Sequence, residues 1–227
     1  MNTARVELKH VCIFAYYMLE IIIKGFVIGL LVSLPMGPIN LLTIQRTLNR
    51  GRWHGLVSGI GAMFSDVTYA AITLLGLSFV SKYLDVYKSE LLFFGSVILI
   101  LFGVGVFRSN PLKGWKPDVL SKESRYFKDF ISAFLLTSSN ATILLALIGL
   151  YTRFSFNPIL EGTTSLIIAL ISFSAAALLW WFLLTTVASR LRKRFSRKGM
   201  VILNRIIGSV FVLIGLVGII SELASFT

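Results

Sequence analysis

Six apolar runs, at residues 21–47, 54–80, 91–107, 127–151, 163–187 and 201–223, constrain this chain more than any other feature. A helix needs about 20 mostly apolar residues to cross the hydrocarbon core of a bilayer, and several of these runs reach or exceed that length. The chain is 56% hydrophobic, against roughly 45–50% for a soluble domain. A transmembrane barrel needs alternating strands, and these runs are continuous. The expected fold class is an all-α polytopic membrane protein, a single bundle of six transmembrane helices.

The net charge of +12 does not point to nucleic acid. Sixteen of the 22 Lys and Arg residues fall in three short loops between apolar runs. These are Arg46, Arg50 and Arg52 after the first run, Arg108 to Lys128 between the third and fourth, and Arg190 to Arg205 between the fifth and sixth. Such a bias places basic loops in the cytoplasm. Both termini are then periplasmic in a bacterial inner membrane, and anionic lipid headgroups are the loops' partners. Trp53 and the Trp180–Trp181 pair lie towards the basic ends of their runs, where amphipathic rings anchor at the interface. Cys12 is a lone cysteine, which excludes an internal disulfide. With His10 and His54 the only histidines, no metal site or cofactor is expected.

Asp66 is the acid that stands well inside an apolar run. A carboxylate at that depth is costly and by default marks a function. Gly55, Gly59, Ala62, Asp66, Ala70 and Thr73 share one helical face, so Asp66 points into the bundle. Gly25, Gly29, Ser33 and Gly37 form a matching small-residue stripe on the first run, the expected company of Asp66. Asp66 could carry a proton or bind a cation such as a substrate ammonium. The bland alternative is an acid that only locks helices together. Tyr69, one turn later, is a candidate hydrogen-bond partner for it.

Pro35-Met36-Gly37-Pro38 must interrupt the first helix, because proline donates no amide and glycine loosens the backbone between the two. The restarted half-helix offers a partly positive N-terminus suited to a carboxylate. Pro35, Gly37 and Pro38 would shape a solute site, with Asn40 and Gln45 adding polar contacts. In the fourth run Ser138-Ser139-Asn140 makes a second polar interruption, where Ser139 and Asn140 are candidate solute ligands. The plain alternatives are a packing kink and interhelical hydrogen bonding. A faint repeat relates residues 29–42 to residues 133–145. Three spans separate them, so the two halves would be inverted repeats, at about 21–107 and 127–223, with helices one and four broken.

The segment 25–77 resembles the LysE/RhtB family of amino-acid exporters. The resemblance rests on Ser33-Leu34-Pro35-Met36-Gly37-Pro38-Ile39-Asn40, on Arg50-Gly51-Arg52-Trp53-His54-Gly55 and on Gly59-Ile60-Gly61-Ala62-Met63-Phe64-Ser65-Asp66. It continues more loosely through Phe134 to Asn140. It implies a six-helix secondary transporter that expels amino acids or related metabolites. Family members often carry Asn-Pro-Lys at the fourth-span break, where this chain has Asn140-Ala141-Thr142. The absent lysine leaves the substrate open.

The domain expected is one transporter unit at 18–227, preceded by an extension at 1–17 whose apolar part is too short to span and which should be dispensable. The expected function is proton-coupled export of a small molecule, with Asp66 as the coupling residue and a homodimer among the expected partners. A metal or inorganic-ion exporter and a non-transporting scaffold are the alternatives. No set of nucleophile, base and orienting group suggests an enzyme.

Overall fold

The structure is a computed structural model, and it describes residues 2–84, 88–109, 126–140, 142–190 and 197–225. The basic stretches 110–125 and 191–196, read above as cytoplasmic loops, lie outside the described residues, as does Ala141 of the second interruption.

The described residues form eight α-helices and one short 3-10 turn, with no strand among them. In chain order these are α1 (Asn2–Ser33), α2 (Pro38–Arg50), α3 (Arg52–Leu84), α4 (Lys88–Arg108), α5 (Tyr126–Ser138), α6 (Thr142–Arg153), the 3-10 turn (Pro158–Glu161), α7 (Thr163–Arg190) and α8 (Arg197–Ser225). Five helices are long and apolar enough to cross a membrane, or six if α5 and α6 count as one crossing bent by 68°. Leu101, Ile171, Val217, Ile220 and many other large apolar side chains are exposed. A soluble monomer rarely shows such continuous apolar surface, whereas lipid would cover it.

The first crossing differs from its sequence reading. The apolar stretch long enough to span begins at Ala15 and ends at Ser33, and α1 continues without interruption back to Asn2. Residues 38–50 make a separate helix. The helical ladder stops because Pro35 and Pro38 have no amide to donate. Its last bond runs from Leu34 N–H to the Leu30 carbonyl at 3.0 Å, and α2 begins with Leu41 N–H to the Gly37 carbonyl at 3.2 Å. Pro38 occupies the first turn of α2, where a missing donor does no harm.

A single residue, Gly51, joins α2 to α3. Its φ of +106° is a conformation that side-chain-bearing residues rarely adopt. It also donates to the Thr47 carbonyl at 3.2 Å, closing α2.

Helix α1 lies along α7, α3 along α5, and α4 along α8, while α7 also touches α3 and α2. Two close approaches fix this arrangement. A Cβ on Gly61 would stand 2.3 Å from the Phe130 carbonyl, so α3 and α5 meet backbone to backbone. Gly103 and Gly208 face each other's carbonyls in the same way where α4 crosses α8.

The two small-residue stripes do not face each other, contrary to the sequence expectation. Gly25 and Gly29 of α1 abut Ala169 and Phe173 of α7, and Gly59 of α3 abuts the Trp181 ring of α7. The glycines of α1 let its backbone approach that of α7, and Gly59 leaves room for the Trp181 ring. Trp181 is accordingly fully buried rather than an interface anchor, whereas Trp53 is exposed.

Candidate functional site

The interruption between α1 and α2 frees backbone groups that need partners in a water-poor interior. Two asparagines supply them. Asn204 of α8 accepts the Met36 N–H on Oδ1 at 2.7 Å. Its Nδ2 donates to the Met36 carbonyl at 3.0 Å and to Ser109 Oγ at 2.7 Å. Asn40 donates from Nδ2 to the Pro35 carbonyl at 2.8 Å and accepts the Trp180 Nε1–H on Oδ1 at 3.2 Å. Asn40 and Asn204 are both buried. Gly37, at the N-cap of α2, supplies no side-chain cap, so the first-turn amides keep the partial positive charge of an open helix end.

The other residues of the first interruption are less enclosed. Pro35 and Gly37 are half-buried and Pro38 is exposed. Gln45 is half-buried, and five residues beyond Asn40 it lies nearly on the opposite side of α2.

At the second interruption Asn140 accepts the Thr142 N–H on Oδ1 at 3.3 Å, and its carbonyl accepts the Ile143 N–H at 3.3 Å. It therefore caps α6. Ser139 Oγ turns back to the Leu135 carbonyl at 2.8 Å. Both residues are exposed.

Helix α3 passes both interruptions at the level of Asp66. Ser65 Oγ lies 2.9 Å from Ser138 Oγ, and the Tyr69 hydroxyl donates to the Ser138 carbonyl. Tyr69 thus holds the end of α5 and is not the partner of Asp66 that its spacing suggested. On the adjacent face of α3, Ala62 and Met63 share an apolar cluster with Met36 of the first interruption. A second cluster holds Ala70 and Leu74, and Val67 packs against both. Asp66 stands where the two meet. It is 4% exposed, and among the described residues its buried Oδ1 has no hydrogen-bond partner. No hydrogen bond joins Asn40, Asp66 and Asn140 to one another among the described residues.

A second polar cluster escaped sequence reasoning. Arg46 and Arg50, read as topology-setting loop residues, lie inside α2 with side chains only 7% and 6% exposed. Both converge on Asp129 of α5. Arg46 Nε is 3.2 Å and Arg50 Nη1 3.0 Å from Asp129 Oδ1, and His54 Nδ1 is 2.7 Å from Oδ2. Arg46 also donates to Ser58 Oγ, to the Asp129 carbonyl and to Ser132 Oγ, at 2.9, 2.8 and 2.7 Å. His54 stacks on Tyr126 with ring centroids 4.4 Å apart. Asp129 sits in the first turn of α5, where the helix dipole favours a carboxylate. The sequence did carry a trace of this cluster. Arg46, Arg50 and His54 recur every four residues, and Asp129 begins the fourth apolar run.

The LysE type translocator family matches this chain over residues 30–222. The chain belongs to that family. The match takes in both interruptions, Asp66 and the Arg46–Asp129 cluster of this LysE-type chain. The family is one of translocators, transporters rather than enzymes. A relative from Bacillus subtilis (strain 168), named "Putative amino acid efflux protein YcgF", is 32% identical over 139 residues. That alignment covers 59% of this chain and 63% of the relative's length, so the chain spans less than two thirds of that relative. No solved structure matches the chain.

Proposed function

We propose that the chain exports amino acids or related small metabolites across the bacterial inner membrane, driven by the proton gradient. The observation that carries this reading is Asp66, a buried carboxylate with an unpartnered oxygen, on the helix that touches both interruptions. An acid kept there at such cost needs a changing partner, and a proton or a solute ammonium would serve. The B. subtilis relative's name supplies the solute class. Pro35, Gly37 and Pro38 shape the site. Asn40, Gln45, Ser139 and Asn140 contact solute as the halves move and the present bonds of the two asparagines exchange. Asp66 carries the coupling proton or pairs with the ammonium.

Alternating access would come from two inverted three-helix repeats rocking about this site. The repeats would be α1–α4 and α5–α8, with α1/α2 equivalent to α5/α6, α3 to α7 and α4 to α8. The pairing of helices supports that reading. Under this exchange the α1·α7 contact becomes α5·α3, and the α3·α7 and α4·α8 contacts each map onto themselves. The Met36–Asn204 link between the first and sixth crossings likewise corresponds to the α4·α6 contact between the third and fourth. By the Lys/Arg bias both termini face the periplasm and the Arg46–Asp129 end faces the cytoplasm.

The test is flux in proteoliposomes under an imposed proton gradient, with a panel of the twenty amino acids and several divalent metals. Uphill movement of at least one amino acid is expected. Movement of metals alone, or of nothing, would replace this reading with the metal-exporter or scaffold alternative.

A further inference from the structure

The Arg46–Arg50–Asp129 cluster is unbalanced. Among the described residues Asp129 is the one carboxylate in ion-pair contact with either guanidinium. Two guanidiniums against one carboxylate leave a positive charge in a nearly sealed site, and an uncompensated buried charge is costly. Donors are also left over. Among the described residues, the buried Arg50 Nε and Arg46 Nε make no hydrogen bond, although the latter lies within ion-pair range of Asp129. Guanidinium forks match a carboxylate in both charge and shape. The site therefore lacks one anion, and its geometry suits a second carboxylate.

Asp129 itself shows how such a group would sit. One of its oxygens is shared by Arg46 and Arg50, and the other lies against His54. Asp129 comes from α5, whereas the three basic groups come from α2 and α3. Its carboxylate thus ties the first half of the chain to the second at the N-terminal end of α5. A solute carboxylate entering beside Asp129 at Arg46 and Arg50 would neutralise the surplus charge and, by drawing their donors away from Asp129, loosen that tie.

We propose that Arg46 and Arg50 form a receiving site for the carboxylate of the exported solute, with Asp129 as the internal competitor for their donors. The site names the substrate class as a carboxylate-bearing solute, and this rests on the exporter reading above. It lies outside the two helix interruptions, at the end that the Lys/Arg bias assigns to the cytoplasm, the side from which an exported solute comes. Binding there would be coupled to opening, because the group that loses those donors is the one that holds α5 to α2 and α3.

The experiment uses the full chain in proteoliposomes. Flux of the twenty amino acids is measured first, and no flux of any would sink the exporter reading and this proposal with it. For an amino acid that is carried, its primary amide is then tested as a competitor. The amide keeps the ammonium and side chain and lacks the negative charge. It should compete at least about tenfold more weakly, as expected when a charge-assisted pair is lost.

In Arg50→Gln that preference should collapse and the apparent KM for the amino acid should rise. In Asp129→Asn the apparent KM should fall, because the competing carboxylate is gone. Flux by the wild type with equal competition from amide and amino acid would overturn the proposal while leaving the exporter reading intact. So would a full preference retained in Arg50→Gln, which would mean the carboxylate is read elsewhere. A purely structural ion lock predicts that both variants lose flux with KM unchanged, and that result also overturns it. Should Asp129→Asn fail to insert, the wild-type and Arg50→Gln competition measurements decide.

Discussion

Asn204 holds both polar groups of one peptide residue, accepting the Met36 N–H and donating to the Met36 carbonyl. The two residues are 168 positions apart, so one amide fastens α8 to the interruption between α1 and α2.

Asn204→Ala should therefore destabilise the protein well beyond an average substitution. It strands a buried N–H and a buried carbonyl, each worth roughly 1–3 kcal/mol when left unpaired. The detergent melting midpoint should drop clearly, and Asn204→Asp should fall between the two, since it can still accept from Met36 but no longer donate. A midpoint equal to wild type in Asn204→Ala would show that water or a rearranged backbone satisfies Met36 instead.

Gly61→Ala should separate α3 from α5. The added carbon would stand 2.3 Å from the Phe130 carbonyl, a backbone atom with no freedom to swing away. Overpacking of this kind costs about 1–3 kcal/mol. A disulfide cross-link engineered between α3 and α5 should form less readily in this variant. Unchanged cross-linking and melting would count against the close approach.

Asp66→Asn should leave the protein folded and abolish uphill export. Asparagine nearly keeps the shape while removing the titratable group. Since Oδ1 of Asp66 has no hydrogen-bond partner among the described residues, the substitution breaks none of their bonds at that oxygen. Gradient-driven efflux is measured beside a melting curve. Wild-type efflux in a well-inserted variant would refute the coupling role.

Reporter fusions test the orientation. A reporter fused after Thr227 should read periplasmic, and one inserted between Lys113 and Lys122 should read cytoplasmic, as the Lys/Arg bias requires. A cytoplasmic reading at Thr227 would reverse or break the six-crossing topology.

The bundle was legible because apolar run length and helix-breaking residues are local properties. Pro35, Gly37 and Pro38 mark the end of α1 and the start of α2 by backbone chemistry alone, and helical phase was enough to bury Asp66. Pairing between distant segments was not legible. Asn204 looks like an ordinary polar residue until Met36 is set beside it. Trp181 looked like an interface anchor because nothing in its own segment reveals that Gly59 leaves room for its ring. Asp129 stood at the edge of an apolar run, where an acid costs little, so the four-residue spacing of Arg46, Arg50 and His54 was the only trace of the cluster and did not reveal its burial. Arg46 and Arg50 misled for the opposite reason, since the topology bias accounts for any arginine near a span without asking where the side chain goes.

The single-residue link at Gly51 has a mechanical meaning. Helices α2 and α3 have almost no slack between them, and α3 runs unbroken from Arg52 to Leu84. His54 and Asp66 are therefore two points on one rod, about 18 Å apart at 1.5 Å per residue. A small tilt of that rod as Asp129 lets go at one end would be felt at Asp66 without any relay of side chains between them. The stiffness that makes α3 a poor hinge makes it a good lever.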